Sequence, residues 1–100
     1  MATTPTIAAR IDQNLDALIL ELEDLPNVVR EWDSLPDATR ASVGLDWDHL
    51  LIDILSDVEL RAWKHELNAE QQRRLCEVYR LLDNMRADLH RLGFPVPSAS

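Results

Sequence analysis

The sequence predicts an all-α fold, a small antiparallel bundle of four to five helices in which two long regular helices flank a buried central one. Three observations carry this. Ile7, Ile11, Leu15, Leu18, Leu22 and Leu25 near one end, and Leu75, Val78, Leu82, Met85, Leu89 and Leu92 near the other, recur at steps of three and four, the spacing of one helix face packed in a bundle. Between them Leu45–Leu55 is the most apolar stretch. Trp47, Leu50, Leu51, Ile54, Leu55 and Val58 cover one broad side at about 100° per residue, and Leu45 and Ile52 extend it to roughly twice the arc of an ordinary surface helix. Finally, Ser34, Ser56 and Asn68 each stand three residues before Asp37, Glu59 and Gln71, the pattern of a capping box or a variant of it. With 100 residues and 46% hydrophobic content, residues 1–100 form one domain around one lean core, and residues 1–4 and 94–100 are expected to fray.

In chain order, Thr4 followed by Pro5 reads as an N-cap with proline at the first helical position. The first helix is then expected to end by Pro26. Thr6-Ile7-Ala8-Ala9-Arg10-Ile11 before a helical run resembles the start of a ribbon-helix-helix DNA-binding protein. Ala8-Ala9 blurs the alternation such a strand needs, Pro5 suits only an edge or a strand start, and the charge is of the wrong sign, so the helix is preferred.

Pro26 to Ser34 carries Val28, Val29 and Trp32, enough for a short helix of two turns. A longer helix is expected from the Ser34–Asp37 box. Gly44 lies inside it at about 1 kcal/mol relative to alanine, which implies a kink or a close helix approach. Asp48 falls on the apolar side, so it needs a place in the first turn of a helix starting near Asp46, or else a polar partner. After Val58, Leu60, Trp63 and Leu67 line up on the side that had been polar. A break or bend at Ser56–Asp57 would re-aim that stripe, and the alternative is a long helix whose second half packs on another copy. The last helix follows the Asn68 cap for about 24 residues, with Tyr79 and Cys76 beside its stripe. Gly93 stops it with Pro95 just beyond, and His90 and Arg91 suit its negative end.

Composition bounds the function. The formal net charge of −8 argues against a nucleic-acid partner, which would require a basic face. Residues 1–60 hold three basic side chains (Arg10, Arg30, Arg40) against thirteen acidic, whereas residues 61–100 hold seven basic against five. Such an asymmetry suits antiparallel packing within a chain or between two copies. No apolar run approaches the roughly 18 residues of a membrane span, and no signal-peptide pattern opens the chain; the expectation is a cytoplasmic protein with no membrane partner. Cys76, the only cysteine, excludes an internal disulfide and a cysteine-based zinc site.

Catalytic chemistry is sparse. Asp46-x-x-His49, with Asp53 one turn on, resembles half of the carboxylate-x-x-His pair of di-iron bundles, but those sites need a second pair and further carboxylates. His49 as a phosphoryl acceptor would be surrounded by Asp46, Asp48 and Asp53, which repel phosphate. Cys76 has no evident base nearby and is expected in the core, and two glycines leave no phosphate loop. Neither an enzyme nor a cofactor is expected. Trp47 reads as core. Leu60, Trp63 and Leu67 are the candidate interface, tryptophan being favoured at binding hot spots. The chain thus reads as a non-catalytic protein-protein interaction module, self-associating as a homodimer. The alternatives are an acidic, antitoxin-like regulator that neutralises a basic protein partner and, more remotely, a metal-binding bundle using Asp46, His49 and Asp53 across a dimer.

Overall fold

A computed structural model describes residues Thr6–Val96, all-α with no strand among them. Helix α1 runs Ile7–Glu31 and a short 3-10 turn follows at Trp32–Ser34. Helix α2 covers Asp37–His49, a π-helical segment Leu50–Leu55, and helix α3 Ser56–Trp63. Helices α4 and α5 span Ala69–Asn84 and Arg86–Leu92. Because Leu55 and Ser56 both keep right-handed helical dihedrals, α2, the π segment and α3 form one continuous rod from Asp37 to Trp63. Helix α1 lies between this rod and α4.

Ile11, Leu15, Leu18, Leu22 and Leu25 of α1 are buried against Leu75, Val78 and Leu82 of α4, Leu89 of α5, and Trp47, Leu50, Leu55 and Val58 of the rod. The α1 stripe is therefore as the spacing predicts. Its start differs: Thr6 is the N-cap, accepting the Ala9 N–H at 3.1 Å, while Thr4 and Pro5 lie outside the described residues. The helix beginning at Ile7 excludes a leading strand. Its end also differs, for α1 passes through Pro26 to Glu31 and absorbs the expected short helix. Pro26 is exposed, so its ring lies on the solvent side of the helix, while Leu25, Val28 and Val29 keep packing.

The expected break at Ser56–Asp57 is absent, and the π segment explains why. Leu50 and Leu55 are both buried, yet five residues of α-helix would set them about 140° apart. A π turn closes i→i+5 bonds and brings them to nearly the same side. The Ser56 N–H accordingly reaches the Leu51 carbonyl, and the Ser56 hydroxyl donates to the same oxygen at 3.0 Å. Neither serine box forms: Ser34 donates to the Glu31 carbonyl at 2.7 Å, and α2 starts after Pro36 without a side-chain cap. Asp48 is exposed in the middle of the rod rather than in a first turn. Gly44 marks no forced approach, since a Cβ there would sit 3.9 Å from Phe94 Cε1.

The Asn68 box does form. The Asn68 N–H donates to Gln71 Oε1 at 2.9 Å and the Gln71 N–H to Asn68 Oδ1 at 2.8 Å. Gln71, the one buried polar side chain among the described residues, also sends Nε2 to the Ala8 carbonyl and to Asp12, at 3.2 and 3.0 Å. Its amide is fully satisfied and fixes where α4 begins along α1. The same seam carries Arg74, paired with Asp12 at 3.6 Å and with Asp16. The contact is acidic-to-basic, but its partners advance together along both helices, from Gln71 on Ala8 and Asp12 to Arg74 on Asp12 and Asp16. Helices α1 and α4 therefore run parallel, not antiparallel as the uneven charge distribution leads one to expect.

The last helix is interrupted at Met85 (φ −100°, ψ 3°), so the predicted single helix is two. Gly93 then closes α5 in the left-handed region (φ 79°). Its N–H bonds the His90 carbonyl at 3.1 Å and the Phe94 N–H bonds that of Leu89 at 2.9 Å, the two bonds of a Schellman end. Residues 94–96, expected to fray, pack instead. Trp47 stacks on Phe94 (5.9 Å between centroids, 17°) and donates its indole N–H to the Pro95 carbonyl at 2.9 Å, while Trp32 meets Phe94 edge-on at 5.4 Å. Residues 1–4 and 97–100 lie outside the described region.

Candidate interaction surface

The described part of the chain measures 42 × 37 × 18 Å, less than two helix diameters through its thin direction. A slab this thin cannot cover both sides of every helix. The rod shows the result. Its inner side carries Trp47, Leu50, Leu55 and Val58, each at most 6% exposed, while Leu45 (71%), Ile52 (67%), Leu60 (47%) and Trp63 (78%) face outward. With the five-residue π turn counted, these four fall within about 90° of one another around the axis. They form one stripe along roughly 25 Å of rod, interrupted by the exposed Asp48 and Ser56.

Of the three sequence-derived interface residues, the structure brings Leu60 and Trp63 onto this stripe and separates Leu67 from it. Leu67 follows the end of the rod, where His65 (φ 60°) turns the chain, and it is buried in the core. The α3 end is a second Schellman turn, with the His65 N–H on the Ala62 carbonyl at 3.0 Å and the Glu66 N–H on that of Arg61 at 2.9 Å. Leu67 thus points back beneath α4 instead of continuing the rod's outer face. Leu45 and Ile52 are the residues that sequence reasoning placed on the wrong side. Their signal was the excessive width of the apolar arc, which is two opposed faces rather than one enlarged one.

The polar candidates meet in pairs. His49 Nδ1 lies 2.6 Å from Asp53 Oδ2, both exposed, and His49 and Asp46 line a cleft of about 310 Å³ with Glu21. Asp46 also borders a cleft of about 180 Å³ between α1 and the rod, shared with Glu21 and Asp24 and floored by Leu25, Val28 and Trp47. Among the described residues no three His, Cys, Asp or Glu side chains converge as a metal site would require. A larger cleft of about 410 Å³ is lined by Ile7, Arg10, Ile11, Asn14, Asp53, Asp57 and Arg61. It presents two cations and two anions, Asp57 being already bonded to Asn14 at 3.2 Å and close to Arg61, so it offers little net charge to a ligand.

Cys76, expected in the core, is exposed on α4. Tyr79, on the same helix, donates its hydroxyl to Glu59 of α3. Burial, that bond and the carboxylate's charge push the phenol well above its ordinary range. Arg73 and Arg80, each beside a carboxylate one turn earlier, hold Glu70 and Glu77 below theirs.

No family model, curated protein or solved structure matches this chain. Among the described residues no helix is long and apolar enough to cross a membrane. The rod's outer stripe is the longest run of exposed apolar side chains on one helix face; Leu20 (70%) and Ile7 (49%) of α1 are exposed singly.

Proposed function

We propose that this chain is a non-catalytic interaction protein that self-associates as a homodimer through the outer face of the Asp37–Trp63 rod. The observation that carries the reading is the exposure of Leu45, Ile52, Leu60 and Trp63 on one side of one helix. Taking a free Leu or Ile at roughly 180 Å² and a free Trp at about 250 Å², they expose on the order of 500 Å². That is near the upper end of what monomeric proteins leave bare. It also approximates the apolar share of the roughly 800 Å² that each partner buries in a standard interface.

The test is the solution mass by light scattering over a dilution series, at low and high salt, for the native chain and for Ile52→Asp. A dimer that persists in high salt, and that Ile52→Asp dissociates without loss of helical signal, supports the reading. A native chain that stays monomeric at every concentration overturns it. Ile52 is the right position because it is exposed within the protomer, so a charge there removes no core contact.

A second reading has its own observation. Glu21, Asp24 and Asp46 line one cleft, and none of the three forms an ion pair among the described residues. An acidic groove with an apolar floor suits a basic, partly apolar segment of another protein, as a neutraliser would require. Capture of a basic protein that weakens steeply with salt and is lost in Glu21→Gln/Asp46→Asn supports this reading. Capture indifferent to salt and to those changes overturns it.

A further inference from the structure

We infer that the two copies pair as antiparallel rods about a two-fold axis passing at Ile52. The inference rests on the self-association reading and adds its geometry. The outward positions of the rod are Ala41, Leu45, Asp48, Ile52, Ser56, Leu60 and Trp63, all exposed. Counted from Ile52, Ala41 stands eleven residues before and Trp63 eleven after; Asp48 and Ser56 stand four on either side, and Leu45 and Leu60 seven and eight. The stripe read backwards therefore superposes on itself.

Self-complementarity of this kind is what an isologous contact demands, each residue meeting its counterpart twice. Laid antiparallel, Ile52 faces the partner's Ile52 on the axis, and Leu45 faces the partner's Leu60. The largest side chain of the stripe, Trp63, falls on the smallest, the partner's Ala41, a large-to-small fit at both ends. The two polar interruptions also coincide, Asp48 lying against the partner's Ser56, a hydroxyl able to donate to a carboxylate. A parallel pairing reverses each of these advantages. It sets Asp48 against the partner's Asp48, a like-charge contact in a partly desolvated seam, and it sets Trp63 against the partner's Trp63.

The stripe is exposed along its length, so it can meet a second rod with no other element of its own protomer in between. Facing residues of two helices packed 8–10 Å apart bring their Cα atoms within the roughly 4–7 Å that a disulfide spans. Residues seven positions off the axis lie roughly 20 Å from their own counterparts in an antiparallel pair.

Disulfide trapping tests this directly. In a Cys76→Ser background, Ile52→Cys, Leu45→Cys and Leu60→Cys proteins are oxidised gently, alone and as a mixture of the last two, and linked dimer is read by non-reducing electrophoresis. The expected result is efficient self-linking of Ile52→Cys. Leu45→Cys and Leu60→Cys alone should link at least tenfold less, with efficient linking restored when they are mixed. Leu45→Cys and Leu60→Cys each linking alone as readily as Ile52→Cys would establish a parallel pair and overturn the inference. A protein that is dimeric by light scattering yet links at none of these positions would overturn it too, while leaving self-association standing. A protein that is monomeric by light scattering would overturn both.

Discussion

The indole N–H of Trp47 donates to the carbonyl of Pro95 across 48 residues of chain, at 2.9 Å. Through this bond and the Phe94 ring stacked on Trp47, the segment beyond the last helix covers the aromatic end of the rod and completes a core that α1 alone would leave open. Phe94→Ala is expected to cost about 2–4 kcal/mol, somewhat below the usual range for a fully buried phenylalanine because Phe94 is half-buried. Urea unfolding followed by far-UV circular dichroism gives the number, and near-UV dichroism should lose the signature of the stacked rings. An unchanged midpoint would mean that residues 94–96 are dispensable to the fold.

Gln71→Glu tests the seam between α1 and α4. Glutamate keeps the reciprocal cap with Asn68 but turns the arm that donates to Asp12 and Ala8 into an acceptor beside a carboxylate. A loss of about 2 kcal/mol at pH 7 is expected. The introduced carboxyl is buried next to a negative charge, so its folded pKa lies above the unfolded value of about 4. The deficit relative to the native chain should therefore shrink as pH falls through that folded pKa.

Two substitutions should stabilise. Gly44→Ala adds a methyl at ordinary contact distance from Phe94 and restores helix propensity, for a gain of about 1 kcal/mol. His65→Gly relieves a left-handed residue (φ 60°) at a Schellman position that favours glycine, for about 0.5–1 kcal/mol. Raised denaturation midpoints check both, and a fall at either position would contradict the local geometry described.

Alkaline unfolding should depend on Tyr79. Its folded pKa is raised by burial and by the bond to Glu59, so the contribution is complete below the unfolded phenol value of about 10. It is lost as pH climbs from there toward the folded pKa. The stability difference between the native chain and Tyr79→Phe, measured from pH 8 to 12, is expected to be constant up to about pH 10 and to narrow above it. A constant difference across the whole range would contradict the raised pKa.

Features written in adjacent residues were legible in the sequence. The α1 and α4 stripes, the Asn68–Gln71 cap and the Gly93 stop were each recovered at their positions. Ser34 and Ser56 carry a similar pattern without acting as caps, because what decides is whether the preceding chain leaves the helix, and near Ser56 it does not. The passage of α1 through Pro26 and the interruption at Met85 follow from packing between distant segments, which no local pattern encodes. The exposed stripe is half legible in the sequence. Phase sets Leu60 and Trp63 opposite the central stripe, and both are exposed, whereas Leu67 is buried because the His65 turn re-aims the chain. Leu45 and Ile52 were hidden inside an arc that looked like core.

The turn between Leu50 and Leu55 holds one residue more than an α-helical turn needs, which makes the rod a helix with a surplus letter. Deleting Asp53, exposed within that turn, would bring Trp47, Leu50, Leu55, Val58 and Ala62 to steps of three, four, three and four, the run of an ordinary α-helix. The inner faces on both sides of the deletion would stay where they are. The same deletion in α2 or α3 would rotate everything beyond it by about 100° and turn core outward. The π segment is thus the one stretch of the rod where chain length can change by a residue with the inner face kept, so sequences of this fold one residue shorter should carry their gap there.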